Sequence, residues 1–266
     1  MAMEDIANRI ERLKAALDAL RPVPPQSLWR LRRWFDVELT YTSNAIEGNT
    51  LSAVETELVI DKGITIAGKP LKDHLEALDH YDAIGLMREL ARAGRPPTEA
   101  DIRSLHAVVL RRSQPETAGR YADQNRFVRT DAGRHAFPSP VEVSPLMQAF
   151  AADLAEASQG YVAAFDAHRR LVAIHPFNDG NGRTARLLMN LLLVRAGYPP
   201  VSIRPEDRPV YIQALADDQA GRGDAAFQRL MAERLEATLA EYIEMFGEAA
   251  DKSTGMAEAA ARWSDA

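Results

Sequence analysis

The stretch His175-Pro176-Phe177-Asn178-Asp179-Gly180-Asn181-Gly182-Arg183-Thr184-Ala185-Arg186 separates two apolar segments, residues 161–174 and 187–193. Both segments repeat their hydrophobic residues at three- and four-residue spacing, which predicts a helix on either side of a polar turn. Pro176 favours ending the first helix and leaves His175 at its mouth. Gly180-Asn181-Gly182 admits turn conformations closed to bulky residues, so several backbone N–H groups can point at one spot. The second helix then begins at about Gly182, with its free N–H groups and positive dipole end facing the same place.

Outward from this turn the same periodicity dominates, and period-two alternation is almost absent, so the expected fold class is all-α. Ile6, Ile10, Leu13, Leu17 and Leu20 mark a first helix that stops before Pro22. A second runs from about Ser27 to Ile46-Glu47 and ends at Gly48-Asn49. Ser52 with Glu55 reads as a capping box that starts a third, and Thr98 with Asp101 can cap another after the break at Gly94-Arg95-Pro96-Pro97. Residues 71–90, 146–157, 208–220 and 224–246 complete the helical set. Between 113 and 145 the pattern changes. Residues 126–129 and 135–137 flank Thr130-Asp131-Ala132-Gly133-Arg134, which suits a short exposed β-hairpin or, on spacing alone, an irregular loop. The chain divides economically into an N-terminal helical extension (1–95), a core domain (96–246) and a flexible tail (247–266).

Composition narrows the function. Of 266 residues, 46% are apolar, enough for a sizeable core, and 32 basic against 38 acidic side chains give a net charge of −6. That balance disfavours nucleic acid or a membrane surface as partner, since phosphate binding needs concentrated positive charge. The chain has no cysteine, which excludes disulfides, thiolate metal sites and cysteine nucleophiles. The acidic start and the short apolar runs suggest neither a signal peptide nor a membrane span, so a cytoplasmic location is expected.

The polar turn carries the chemistry. Arg183 and Arg186 project from one helix turn and can clamp phosphate oxygens. Asp179 offers a hard carboxylate beside them, as a magnesium ion bridging phosphates requires. His175 supplies a base near neutral pH. The residues alone therefore point to nucleotide or phosphate binding with magnesium and a histidine base, and leave transfer and hydrolysis open.

The same stretch matches, at every defining position, the signature His-x-Phe-x-(Asp/Glu)-Gly-Asn-Gly-Arg-x-x-Arg, and the chain resembles the Fic-domain proteins over about residues 40–230. The resemblance implies a helical core with a small β-hairpin flap and transfer of AMP from ATP to a Ser, Thr or Tyr hydroxyl, on a target protein or on the chain itself. It implies His175 as base, Phe177 as buried anchor and Asp179 as the magnesium ligand. Gly180, Asn181 and Gly182 become the anion hole, and Arg183 and Arg186 the phosphate clamp. The family's kinase-like variant carries Lys where this chain has Gly182, which favours AMP transfer. Phe127, Val128 and Arg129 become flap residues, with Val128 at the nucleotide, and Tyr211 and Gln219 resemble positions bordering adenine, core packing being the other role for Tyr211.

A second cluster, Thr42-Ser43-Asn44-Ala45-Ile46-Glu47-Gly48-Asn49, places Glu47 at a helix C-terminus, where the dipole disfavours negative charge and a cationic partner is welcome. It resembles the family's inhibitory pattern (Ser/Thr)-x-x-x-Glu-(Gly/Asn) at Ser43, Glu47 and Gly48. The resemblance implies that Glu47 pairs with Arg186 and obstructs ATP. In some relatives the same glutamate also helps remove AMP. The rival class is a nucleotide-sensing or partner-binding module with vestigial catalysis. Gly63-Ile64-Thr65-Ile66-Ala67-Gly68-Lys69-Pro70 nearly spells a P-loop, but Pro70 stands where a Ser or Thr is needed, so a turn is expected. His74 and His80 are poorly spaced for zinc, and the helical surface 29–35 is a candidate contact for a homodimer.

Overall fold

One helix, Asn181–Arg195, is buried almost all the way round, and the other elements are arranged about it. A helix with so little exposed surface, its Arg183, Arg186 and Asn190 included, has to lie at the centre of a domain. On one side its Leu188, Met189 and Leu193 join a large apolar cluster; on the other, Leu187 and Leu191 meet Leu39, Ile84, Met87, Leu105 and Val109. This is the helix that the polar turn opens.

The computed structural model describes residues 3–21, 25–130 and 133–264, with side chains over 3–21, 29–128 and 133–247. Along the chain the elements are α1 (Met3–Ala19), α2 (Pro25–Ile46), α3 (Ala53–Lys62), α4 (Leu71–Arg92), α5 (Glu99–Val109), β1 (Phe127–Thr130), β2 (Gly133–Ala136), α6 (Pro140–Glu156), α7 (Tyr161–Ile174), the central α8 (Asn181–Arg195), α9 (Arg208–Gln219) and α10 (Ala225–Ser264). α7, α4, α5 and α2 pack around α8, while α1 lies along α10. The all-α class holds, and the segment 126–137 is a hairpin rather than an irregular loop. β1 and β2 pair antiparallel, with Phe127 opposite Ala136 and Thr130 opposite Gly133. Asp131 and Ala132 of its turn, and the Arg129 side chain, lie outside the described residues. No described helix is long and apolar enough to cross a membrane.

The expected caps are made. Ser52 Oγ accepts from the Glu55 N–H and Glu55 returns a bond to the Ser52 N–H; Thr98 and Asp101 do the same for α5. Each such cap contributes about 1 kcal/mol and fixes where a helix starts. Two boundaries differ from expectation. α6 begins at Pro140, not at 146, because Pro140 suits a first helical position and Glu142 accepts from the Ser139 N–H. Pro145 then sits inside the helix, where it forfeits a single N–H bond. The helical backbone of α10 continues beyond Gly247 to Ser264 through an Ala-rich sequence of high helix propensity.

The near P-loop is a turn after Gly63, which caps α3 in the left-handed conformation. The His74 ring ties it to α4 by accepting from the Ile66 N–H at 2.8 Å. Of the proposed contact surface 29–35, Trp29 and Trp34 are exposed, but Phe35 is turned inward and stacks on Tyr242.

Candidate active site

α7 ends one residue before His175, whose backbone (φ 50, ψ 56) closes the helix in the left-handed region. Among the described residues it is the one non-glycine with positive φ. That conformation costs a side-chain-bearing residue about 1–2 kcal/mol. The ring faces the Val172 carbonyl through Nδ1 at 3.3 Å, so the Nδ1 proton is engaged and Nε2 is left to accept. Phe137 stacks on the ring at 3.8 Å between centroids, 12° from parallel. Burial pushes the His175 pKa down to about 4, and the Arg126 charge adds to this; the Val172 contact, Glu47 and Asp179 oppose it. His175 is therefore neutral and proton-accepting throughout the physiological range.

The turn that follows is held by its own residues. Asn181 Oδ1 accepts from the Phe177 N–H at 2.9 Å and its Nδ2 donates to the Phe177 carbonyl at 2.8 Å, closing a four-residue loop. Phe177 is fully buried and stacks on His106 at 3.6 Å, the two rings 3° from parallel. His106 Nδ1 accepts from the Gly119 N–H, so its Nε2 carries the proton and donates to the Asp179 carbonyl at 3.0 Å. Gly180 has φ 73, and a Cβ there would press on the His106 ring. Gly180 is the N-cap of α8 and provides no side chain, so the first N–H groups of the helix, from Asn181 to Arg183, open toward the mouth of the turn. The Asn181 side chain is spent on closing the loop, which leaves the backbone N–H of that residue facing the mouth of the turn.

Asp179 is fixed at both oxygens: Gln114 Nε2 donates to Oδ2, and the Gly180 N–H donates to Oδ1 at 2.6 Å. Burial works against its ionisation, but the Arg183 charge and these hydrogen bonds outweigh it and hold the carboxyl below its ordinary range. The side chain remains 44% exposed, an ionised hard oxygen donor at the mouth of the turn. Among the described residues no three His, Cys, Asp or Glu converge to hold a metal by themselves. A divalent ion at Asp179 would thus draw its remaining oxygens from a ligand and water.

The two arginines lie at the base of the turn. Arg183, 2% exposed, donates to Glu76 on α4 at 3.1 Å and reaches Asp179 at 3.5 Å. Arg186 donates through Nε to Ser43 Oγ and through Nη2 to the Ser43 carbonyl, each at 2.9 Å, and through the same Nη2 to Glu47 Oε1 at 2.6 Å. Glu47 thus lies across the start of α8. A Cβ on Gly182 would overlap Glu47 Oε1 and come within 3.1 Å of Arg186 Nη1, so a glycine is what lets the carboxylate approach. Tyr211, expected to border adenine, is 1% exposed; its hydroxyl meets Arg186 Nη1 at 3.4 Å and His168 Nε2 at 2.9 Å. Its position on the inner face of α9 directs it into the core behind Arg186. Val128 sits on the exposed hairpin, outside this hydrogen-bonded cluster.

Four supports had no legible signal in the sequence. Glu76, His106 and Gln114 are isolated polar residues in or after helices that reveal no role until packed. Asp79, wholly buried, accepts from the N–H groups of Arg112 and Ser113 and so anchors the segment that carries Gln114.

Comparison with known proteins bears on the same residues. The model of the Fic/DOC family matches residues 96–193, which run from α5 through the hairpin to the core of α8. The chain is 38% identical to the protein adenylyltransferase Fic of Nematostella vectensis over 209 residues, covering 76% of this chain and 48% of that protein. It is 36% identical to the protein adenylyltransferase Fic of Aedes aegypti over 244 residues, covering 88% and 48%. It spans about half the length of these curated relatives. Among solved structures, a Fic-domain-containing signaling protein from Bacteroides thetaiotaomicron superposes with a TM-score of 0.83 at 30% identity, covering 90% of this chain and 97% of that one. Fic-1 of C. elegans superposes with a TM-score of 0.79, again at 30% identity, covering 91% and 71%. Such likeness extends well outside the stretch 175–186, to the helices packed around it, and on that ground the chain belongs to the Fic/DOC family.

Proposed function

We propose that this chain transfers AMP from ATP to a Ser, Thr or Tyr hydroxyl of a protein, another or itself, and that Glu47 restrains the activity. The observation that carries the reading is the state of His175: Nδ1 is engaged by Val172, Nε2 is left to accept, and the ring is within electrostatic reach of Asp179 in the turn and of Glu47. A site that only bound nucleotide would have no use for a neutral, oriented base held in a strained backbone.

In this reading the N–H groups at the start of α8 receive the phosphates, where their dipoles need no rearrangement as charge develops. Arg186, once free of Glu47, turns its guanidinium to phosphate oxygens, and Arg183 neutralises charge from beneath while keeping Asp179 ionised. His175 takes the hydroxyl proton through Nε2, and the hydroxyl oxygen attacks the α-phosphorus as the bond to pyrophosphate breaks. The hairpin edge gives an extended target segment a strand to pair with. Asp179 fits a magnesium ligand: it is ionised, half exposed and pre-oriented by Gln114 and Gly180. Magnesium bound there with the nucleotide would supply neutralisation of phosphate charge.

Glu47 restrains the reaction by occupying Arg186 and by placing a carboxylate where phosphate oxygens would come. The test uses labelled ATP. Glu47→Gly is expected to raise transfer to protein at least tenfold over the native chain, and adding His175→Ala is expected to abolish it. A Glu47→Gly protein that binds ATP and labels nothing, itself included, would remove the enzyme reading and leave the binding module.

A further inference from the structure

His175 is constrained on more than one side, and one constraint comes from the hairpin. Phe137, the residue immediately after β2, is 8% exposed and presents its flat face to the imidazole at 3.8 Å. Arg126, immediately before β1, brackets that phenylalanine. Its carbonyl accepts from the Phe137 N–H at 3.0 Å, and its Nη2 donates to the carbonyl of Pro138. Arg126 is itself buried, 8% exposed. The two legs of the hairpin are thus closed across their base by one residue, through its backbone carbonyl and its guanidinium, and the closure holds an aromatic ring on the imidazole.

We propose that Phe137, pinned by Arg126, is a positioning residue for His175, so that the hairpin and the imidazole move as one unit. The inference rests on the reading of His175 as the base. A hydrogen bond through Nδ1 alone leaves the ring free to rock about its χ angles. Stacking on a fixed plane removes that freedom and excludes water from one face. A base has to be held within about 10–20° of its working direction, and a small misplacement can cost two orders of magnitude in rate. The coupling also runs outward. A target strand that pairs with the hairpin edge and steadies it steadies the Phe137 plane as well, so target docking and alignment of Nε2 are mechanically linked.

Three charged groups face His175 from the packed elements: Arg126 from the hairpin base, Glu47 from the end of α2 and Asp179 from the turn. Phe137→Leu keeps apolar volume and removes the flat face. It is expected to let water reach the ring, so the His175 titration midpoint rises from about 4 toward its ordinary value. The ring-current shift of the His175 carbon-bound protons is lost at the same time. Phe137→Tyr keeps the plane and is expected to retain both signatures. Arg126→Met is expected to fall between them, and Arg126→Lys to restore part of the effect.

The experiment is an NMR titration of the six-histidine chain with these variants, run beside steady-state AMP transfer in the Glu47→Gly background. The expected kinetic result for Phe137→Leu is a fall in kcat of about tenfold with KM for ATP unchanged, and near-parent values for Phe137→Tyr. An unaltered His175 midpoint and ring-current shift in Phe137→Leu would overturn the proposal, as would equal loss of activity in Leu and Tyr variants. Should the Glu47→Gly parent label nothing, the AMP-transfer reading fails, and the titration still decides whether Phe137 positions the imidazole.

Discussion

Glu47 Oε1 lies 2.6 Å from Nη2 of Arg186, and the two partners are unequal: the arginine side chain is 5% exposed and the glutamate 39%. Arg186 keeps its two bonds to Ser43 when the glutamate is removed, whereas Glu47 has only solvent to fall back on. Breaking the pair from the glutamate side should therefore cost about 1 kcal/mol or less, as for a partly exposed ion pair. Glu47→Gly is expected to melt within a few degrees of the native protein yet bind ATP more tightly by calorimetry. Arg186→Ala, added to Glu47→Gly, is expected to reverse that gain. A Glu47→Gly protein with weaker ATP binding than the native chain would contradict the arrangement.

Gly182 offers a second way to dislodge the same carboxylate. Its missing Cβ is the space that Glu47 Oε1 occupies, and the overlapping atom is the end of a flexible, solvent-accessible side chain. Gly182→Ala keeps the backbone N–H at the start of α8 and evicts the glutamate. We expect it to raise AMP transfer several-fold in the native background and to add nothing in Glu47→Gly. Loss of transfer in both backgrounds would show instead that the methyl group obstructs the phosphates.

Asn181 holds the turn through two bonds to the Phe177 backbone and is buried. Asn181→Ala strands one N–H and one carbonyl away from water, at about 1–3 kcal/mol for each unsatisfied group. The expected result is a loss of about 2–4 kcal/mol, read as a drop of several degrees in Tm, together with loss of transfer in Glu47→Gly. A Tm within one degree of the parent would mean that the side chain is not what closes the loop.

Four histidines make folding sensitive to mild acid. Burial holds His80, His106, His168 and His175 down to about 3, 4, 3 and 4, against about 6.5 in an unfolded chain. Between these values the unfolded chain binds protons that the native state refuses, so stability falls as pH drops from about 6.5 toward 4. Asp36 and Glu38, whose carboxyls are raised by burial, act in the opposite sense, in the window above their unfolded values near 4. Thermal melts from pH 7.5 to 4.5 are expected to decline from about 6.5 downward. A flat profile to pH 5 would mean that these rings are solvated.

Much of the site was legible because its parts lie close together in the chain. His175, Asp179, the glycines and the two arginines span twelve residues, and the helix–turn–helix pattern around them is enough to predict that they share one turn and the helix it opens. Helix periodicity, the Ser52–Glu55 and Thr98–Asp101 caps and the hairpin flanks were readable for the same reason: each depends on neighbours within a few residues. The start of α6 is less legible, because Pro145 lies inside the helix while the Ser139–Glu142 cap that begins it stands among the prolines 138, 140 and 145.

By itself the sequence determined which helices form, which twelve residues make the turn and the first helical turn after it, and the chemistry those residue types can perform. Only the tertiary structure decided what meets them. Glu47 reaches Arg186 across 139 residues, Glu76 reaches Arg183 across 107, and Gln114 reaches Asp179 across 65. Tyr211 turns into the core, and Phe137 lands on His175. The physical reason is that these partners sit on different helices and on the hairpin, whose relative placement follows from burying two apolar clusters on opposite sides of α8. That placement is a sum over many weak contacts, and no local pattern encodes it.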